Sequence, residues 1–158
     1  MDVRVFLTDN ITKKPRDLLM TFDTGAYMTS VDSFTLIRAG YDIAAGKSTS
    51  VDTVGHSGVP AKEIVLRGLE FEDISGARVQ LGPVLVHAID MSKTYTVGVL
   101  GLNVIREFKT RIEFGMPTII ELVPTFDLGV IEKFETYQPD CSRFGLWSSR
   151  HIEFRSET

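Results

Sequence analysis

The sequence predicts an all-β fold, a barrel or sandwich of short strands with one short helix. Three observations point there. Short runs rich in Val, Ile, Leu and Phe recur along the chain, and several alternate apolar with polar residues. Each is bounded by Gly, Pro, Asp, Asn or Lys in the combinations that make turns. A clear helical spacing of apolar residues is confined to Leu102, Ile105 and Phe108. The 158 residues, 43% of them hydrophobic, are enough to bury one sizeable core, so a single domain is expected.

The elements follow in order. Val3, Val5 and Leu7 alternate with Asp2, Arg4 and Phe6, which predicts a strand over 3–8. Asp9-Asn10 and Lys13-Lys14-Pro15 are turn chemistry, and the chain returns as a second strand over 18–22. Residues 31–39 read as a short helical turn closed by Gly40. Strands over 49–54 and 61–66 flank Gly55-His56-Ser57-Gly58, the tip of a β-hairpin. Residues 69–74 and 77–89 are extended and punctuated by Gly76, Gly82 and Pro83. A buried strand over 97–100 ends at Gly101, the helix runs over 102–108, and 110–114 alternates again. Residues 118–123 form a plausible strand, 130–137 are strand or helix, and 139–158 have no clear period.

Composition narrows the function classes. The net charge of −4 is mild and the Lys and Arg residues are scattered, which argues against nucleic acid as the main partner. Cys141 is the lone cysteine, so no intrachain disulfide forms, in keeping with a reducing compartment. The start of the chain has no basic region followed by an apolar run, and no apolar stretch reaches membrane-spanning length. The expectation is a cytoplasmic protein with no membrane partner. His56, His87 and His151 are too far apart in sequence to suggest a metal-ligand set, and Gly98-x-x-Gly101 lacks the rest of a phosphate loop, so no metal or cofactor is expected. His56 reads as a solvated turn residue rather than a ligand. Trp147 reads as a surface docking patch or as edge packing.

The most informative stretch is 18–31, Leu-Leu-Met-Thr-Phe-Asp-Thr-Gly-Ala-Tyr-Met-Thr-Ser-Val. An apolar strand delivers one acid, Asp23, into a turn of small residues. A carboxylate leaving the end of a buried strand is costly unless it is hydrogen-bonded. Gly25 removes the side chain that would keep backbone N–H groups from the Asp23 oxygens. Thr24 adds a hydroxyl that both donates and accepts. Taken alone, Asp23 reads as a turn cap that bonds nearby N–H groups.

Downstream, Val99-Leu100-Gly101-Leu102-Asn103 changes that reading. Asp23-Thr24-Gly25-Ala26 after an apolar strand resembles the catalytic loop of aspartic proteases. The Val-Leu-Gly-Leu-Asn segment resembles the one that opens the helix of retroviral-type members, the retropepsins. The Gly55 to Gly58 hairpin lies between them, where that family keeps its flap. Two departures stand out: Tyr27 sits where relatives usually carry Ser or Asp, and Leu102 replaces an Arg frequent in viral enzymes.

The resemblance implies an aspartic protease domain over 1–115, with an extension over 116–158 packed on or beside it. It implies a two-fold homodimer, because the chain holds a single Asp-Thr-Gly and the chemistry needs two carboxyls, one as base and one as acid. By the same resemblance Asp23, Thr24 and Gly25 are catalytic, Thr24 bridging the two loops. Ala26, Tyr27, Gly55, His56, Ser57, Gly58 and Leu100 would meet an extended peptide or protein substrate. The rival expectation is a catalytically silent dimerisation or peptide-binding module of the same fold.

Overall fold

The computed structural model describes residues 2–53, 55–72, 78–113, 119–124 and 152–155. The expectations for residues 130–137, Cys141, Trp147 and His151 lie outside the described residues. The fold is all-β, with two short helices among the described residues. Among those residues nine strands form one mixed sheet and three form another.

Strand β1 (Asp2–Thr8) pairs antiparallel with β2 (Pro15–Phe22), Val3 facing Met20 and Val5 facing Leu18. Alternation puts Val3, Val5 and Leu7 with Leu18, Met20 and Phe22 on the core side. Phe6 faces the other way yet is also buried, because the Arg78 guanidinium lies 3.4 Å from its ring centre. The connecting turn is built on Asp9, whose Oδ1 accepts the N–H groups of Ile11 and Thr12, each at 2.8 Å.

After β2 the chain loops through Asp23 into β3 (Ser30–Asp32) and then α1 (Ser33–Arg38). Asp32 caps α1 by accepting the Thr35 N–H at 2.8 Å, and Gly40 at φ +77° ends the turn beyond it. Strand β4 (Lys47–Thr53) and the long β5 (His56–Leu66) make the expected hairpin. Its tip is tighter than the sequence suggests. Thr53 pairs directly with His56, so His56, Ser57 and Gly58 belong to the returning strand. Gly55 (φ +83°) takes the left-handed conformation that such a turn requires, and Gly58 (φ +68°) takes it inside β5 where the pairing register with β4 shifts.

Strands β6 (Leu69–Glu72) and β7 (Arg78–Gln80) extend the sheet beyond β1. The extended stretch expected over 77–89, punctuated by Gly82 and Pro83, holds two strands, β7 and β8 (Val84–Ile89). Strand β9 (Gly98–Leu100) precedes α2 (Leu102–Ile105). The sheet order is β4-β5-β8-β3-β9-β2-β1-β6-β7, with β9 parallel to β2 and antiparallel to β3. Strands β10 (Phe108–Glu113), β11 (Ile119–Pro124) and β12 (Ile152–Arg155) form the second sheet, all antiparallel. The helix expected over 102–108 stops at Ile105, and Phe108 instead begins β10 with its ring edge-on to Phe71, 5.9 Å between centres. One core joins both helices and the large sheet to Phe108. No helix among the described residues is long and apolar enough to cross a membrane.

Candidate active site

Strands β2 and β3 are consecutive in sequence but do not pair with each other. Strand β9 lies between them, and the loop of residues 23–29 must step over its end. That placement lets the backbone of β9 and α2 hold the loop from beneath. Asp23 N–H donates to the Leu100 carbonyl at 3.1 Å, Leu102 N–H to the Ala26 carbonyl at 2.8 Å, and Asn103 N–H to the Tyr27 carbonyl at 3.1 Å. The approach is close enough to require a glycine. A Cβ on Gly101 would sit 2.5 Å from the Met28 carbonyl carbon.

The loop presents its chemistry outward. Asp23, Thr24 and Gly25 are exposed at the end of a strand whose last residue, Phe22, is buried. Gly25 N–H donates to Asp23 Oδ1 at 2.8 Å, and a Cβ at Gly25 would crowd that oxygen at 3.1 Å. Among the described residues this is the one hydrogen bond to the Asp23 carboxylate, no cation pairs with it, and the Thr24 hydroxyl has no partner. The Asp23 carboxylate is therefore open to solvent and oriented by one backbone N–H.

The other expected site residues divide. Within the loop, Ala26 is half-buried and Tyr27 is exposed. The Leu100 side chain is fully buried, so its contribution is the backbone carbonyl that holds Asp23 N–H. Gly55, His56, Ser57 and Gly58 are exposed at the hairpin end of β4 and β5. Hydrogen bonds at that end are local, from Gly58 N–H to Asp52 Oδ1 at 2.9 Å and from the Thr53 hydroxyl to the His56 carbonyl at 3.4 Å. None among the described residues links the hairpin to the acid loop.

Sequence reasoning missed Thr29. It is fully buried where the loop enters β3, and every polar group it has is engaged. Its N–H and hydroxyl donate to Asn103 Oδ1 at 2.7 and 2.9 Å, its hydroxyl accepts Gly101 N–H at 3.0 Å, and its carbonyl accepts His87 N–H at 3.0 Å. The available signal was Asn103, an amide one residue before the buried Val104-Ile105 pair.

No family model matches the chain, and no curated protein sequence matches it. Among solved structures the chain is similar to a retropepsin-like aspartic protease from Rickettsia conorii. The TM-score is 0.48 and the identity 17%, over 77% of this chain and 80% of that one.

Proposed function

We propose that two copies of this chain form an aspartic endopeptidase, with Asp23 of each copy supplying one carboxyl of the catalytic pair. The observation that carries this reading is the exposed Asp23 carboxylate, held at the end of a buried strand and oriented by the Gly25 N–H. A single carboxyl cannot serve at once as the base that takes a proton from water and the acid that protonates the scissile carbonyl. A two-fold axis beside the loop brings its own copy to face it, which is the simplest way for one chain to supply two acids.

In the pair, the ionised Asp23 accepts a proton from a water molecule as its oxygen attacks the peptide carbonyl. The protonated partner donates to the carbonyl oxygen. Collapse of the tetrahedral intermediate returns a proton to the leaving amine. The exposed Thr24 hydroxyls would bond across the axis, and the β4–β5 hairpin would lie over an extended peptide that pairs as an added strand.

Incubation with a quenched peptide library, with and without pepstatin, tests the reading. Pepstatin-sensitive cleavage that disappears in Asp23→Asn is expected, from a species that sediments as two chains. A stable dimer that cleaves nothing would favour the silent module. A monomer with full activity would remove the carboxyl pair.

A further inference from the structure

We infer that Asn103 is a positioning residue for Asp23, through a hydrogen-bond relay that only an amide side chain completes. The inference rests on the catalytic reading of Asp23 given above. Asn103 Oδ1 accepts both the N–H and the hydroxyl of Thr29, at 2.7 and 2.9 Å. Its Nδ2 donates to the Leu85 carbonyl at 2.8 Å. The amide orientation is fixed by these partners, since a flipped amide would set NH₂ against two donors and oxygen against a carbonyl. One side chain therefore ties the exit of the acid loop to α2 and to β8 at once. Thr29 passes the constraint on, because its hydroxyl also accepts Gly101 N–H at 3.0 Å, at the point where the loop crosses β9. With Leu100 holding Asp23 N–H at the entrance, both ends of the loop are fixed to one segment, residues 100–103. The loop that carries the carboxylate is thus held where Asp23 leaves β2 and where Thr29 enters β3.

This relay distinguishes acceptor from donor, so it can be read with a titratable replacement. In Asn103→Asp, an ionised carboxylate still accepts from Thr29 but sets a second oxygen against the Leu85 carbonyl. The protonated form regains the donor. The relay should then be whole at low pH and broken as the introduced carboxyl ionises. The experiment follows the Gly25 amide resonance, which reports the bond to Asp23, and the ratio of peptide cleavage in variant and parent, from pH 3 to pH 8. The expected result is a Gly25 titration curve in the variant with a step, set by the introduced carboxyl, that the parent curve lacks. The cleavage ratio should fall on the order of a hundredfold over the same range, mainly in kcat. Thr29→Ser, which keeps the hydroxyl, should match the parent in both readouts, whereas Thr29→Val should behave like the ionised Asn103→Asp.

A Gly25 resonance that does not respond to the introduced carboxyl overturns the inference, as does a flat cleavage ratio. So does a general loss of fold in which Gly25 moves only with every other amide. If the parent cleaves no peptide, the catalytic reading fails separately, while the Gly25 shift still decides whether Asn103 positions the acid.

Discussion

Strands β1 and β2 lie side by side, and each hands its chain to an aspartate at one end: Asp9 after β1, Asp23 after β2. Both acids enter turns, and the two carboxylates meet opposite fates. Asp9 is 3% exposed; its oxygens accept two backbone N–H groups and the Arg16 guanidinium, the latter at 2.6 Å. The Arg16 bond, helped by the Thr12 and Ile11 N–H groups, lowers its pKa to about 2. Asp23 is exposed and, among the described residues, receives one N–H and has no cation beside it. What separates a structural acid from a chemically available one is the number of donors its turn supplies. The β1–β2 turn saturates its carboxylate, whereas in the loop over β9 the Asp23 N–H goes to the Leu100 carbonyl, the Ala26 N–H to the Asp23 carbonyl and the Thr29 N–H to Asn103, and the Gly25 N–H alone goes to the Asp23 carboxylate.

The sharpest break of this comparison is to neutralise each acid in turn. Asp23→Asn should abolish peptide cleavage while changing the unfolding free energy by no more than about 0.5 kcal/mol, as for an exposed substitution. Library cleavage and urea unfolding measure the two effects. Residual cleavage at the parent's rate would show that Asp23 is not the available acid.

Next in size is the support beneath the loop. Gly101→Ala puts a methyl group where Met28 and Thr29 backbone atoms already lie within 2.8 Å. Backbone cannot yield as a side-chain end can, so the substitution should cost about 1–3 kcal/mol or more by denaturant unfolding. A neutral Gly101→Ala would mean that the loop is not seated on β9 as described.

Asp9→Asn should leave cleavage intact and lower the melting temperature. Its native pKa, about 2, lies below the ordinary 3.8. The stabilisation is therefore fully present above the ordinary value and is lost as pH falls through about 2. Melting of the parent should drop over that acid window, and the drop should be smaller in Asp9→Asn. Equal acid profiles would place the Asp9–Arg16 pair among those that contribute nothing measurable.

The last comparison falls on the hairpin, where a modest stability effect accompanies a larger effect on binding. Gly55→Val or Gly58→Val forces a branched side chain into positive φ, at a cost of at most about 1–2 kcal/mol. Open space surrounds both positions, so no packing loss adds to this. Under the proposed function, affinity for peptide should fall more than melting temperature, as binding isotherms and thermal unfolding would show.

How much of this was legible in the sequence follows from the range of each interaction. Strands β1 and β2 were visible because alternation is a local signal, and Asp23-Thr24-Gly25 was visible because Gly25 and Asp23 are near neighbours. Strand β3 was read as the start of a helix, since the three residues Ser30–Asp32 cannot display a period. Strand β12 was hidden in a polar stretch for the same reason, being four residues long. The helix at Leu102 was placed correctly and drawn too long, because Phe108 fits the helical spacing but packs against Phe71 from β10. Thr29 stayed silent because its partners, Gly101 and Asn103, lie 72 and 74 positions away. No window of local pattern spans that distance.

That separation also bears on how the protein assembles. The insertion of β9 between β2 and β3 means that a chain emerging from the ribosome has made its acid long before the segment that seats it. A loop closure of this length costs entropy before any contact rewards it, so the acid site is among the late features of folding. Until residues 98–103 arrive, the loop after Asp23 lacks the β9 and α2 partners that hold it. On the catalytic reading, the nascent chain carries the reactive group without the geometry to use it, and is spared from cutting itself or its neighbours while it is still being made.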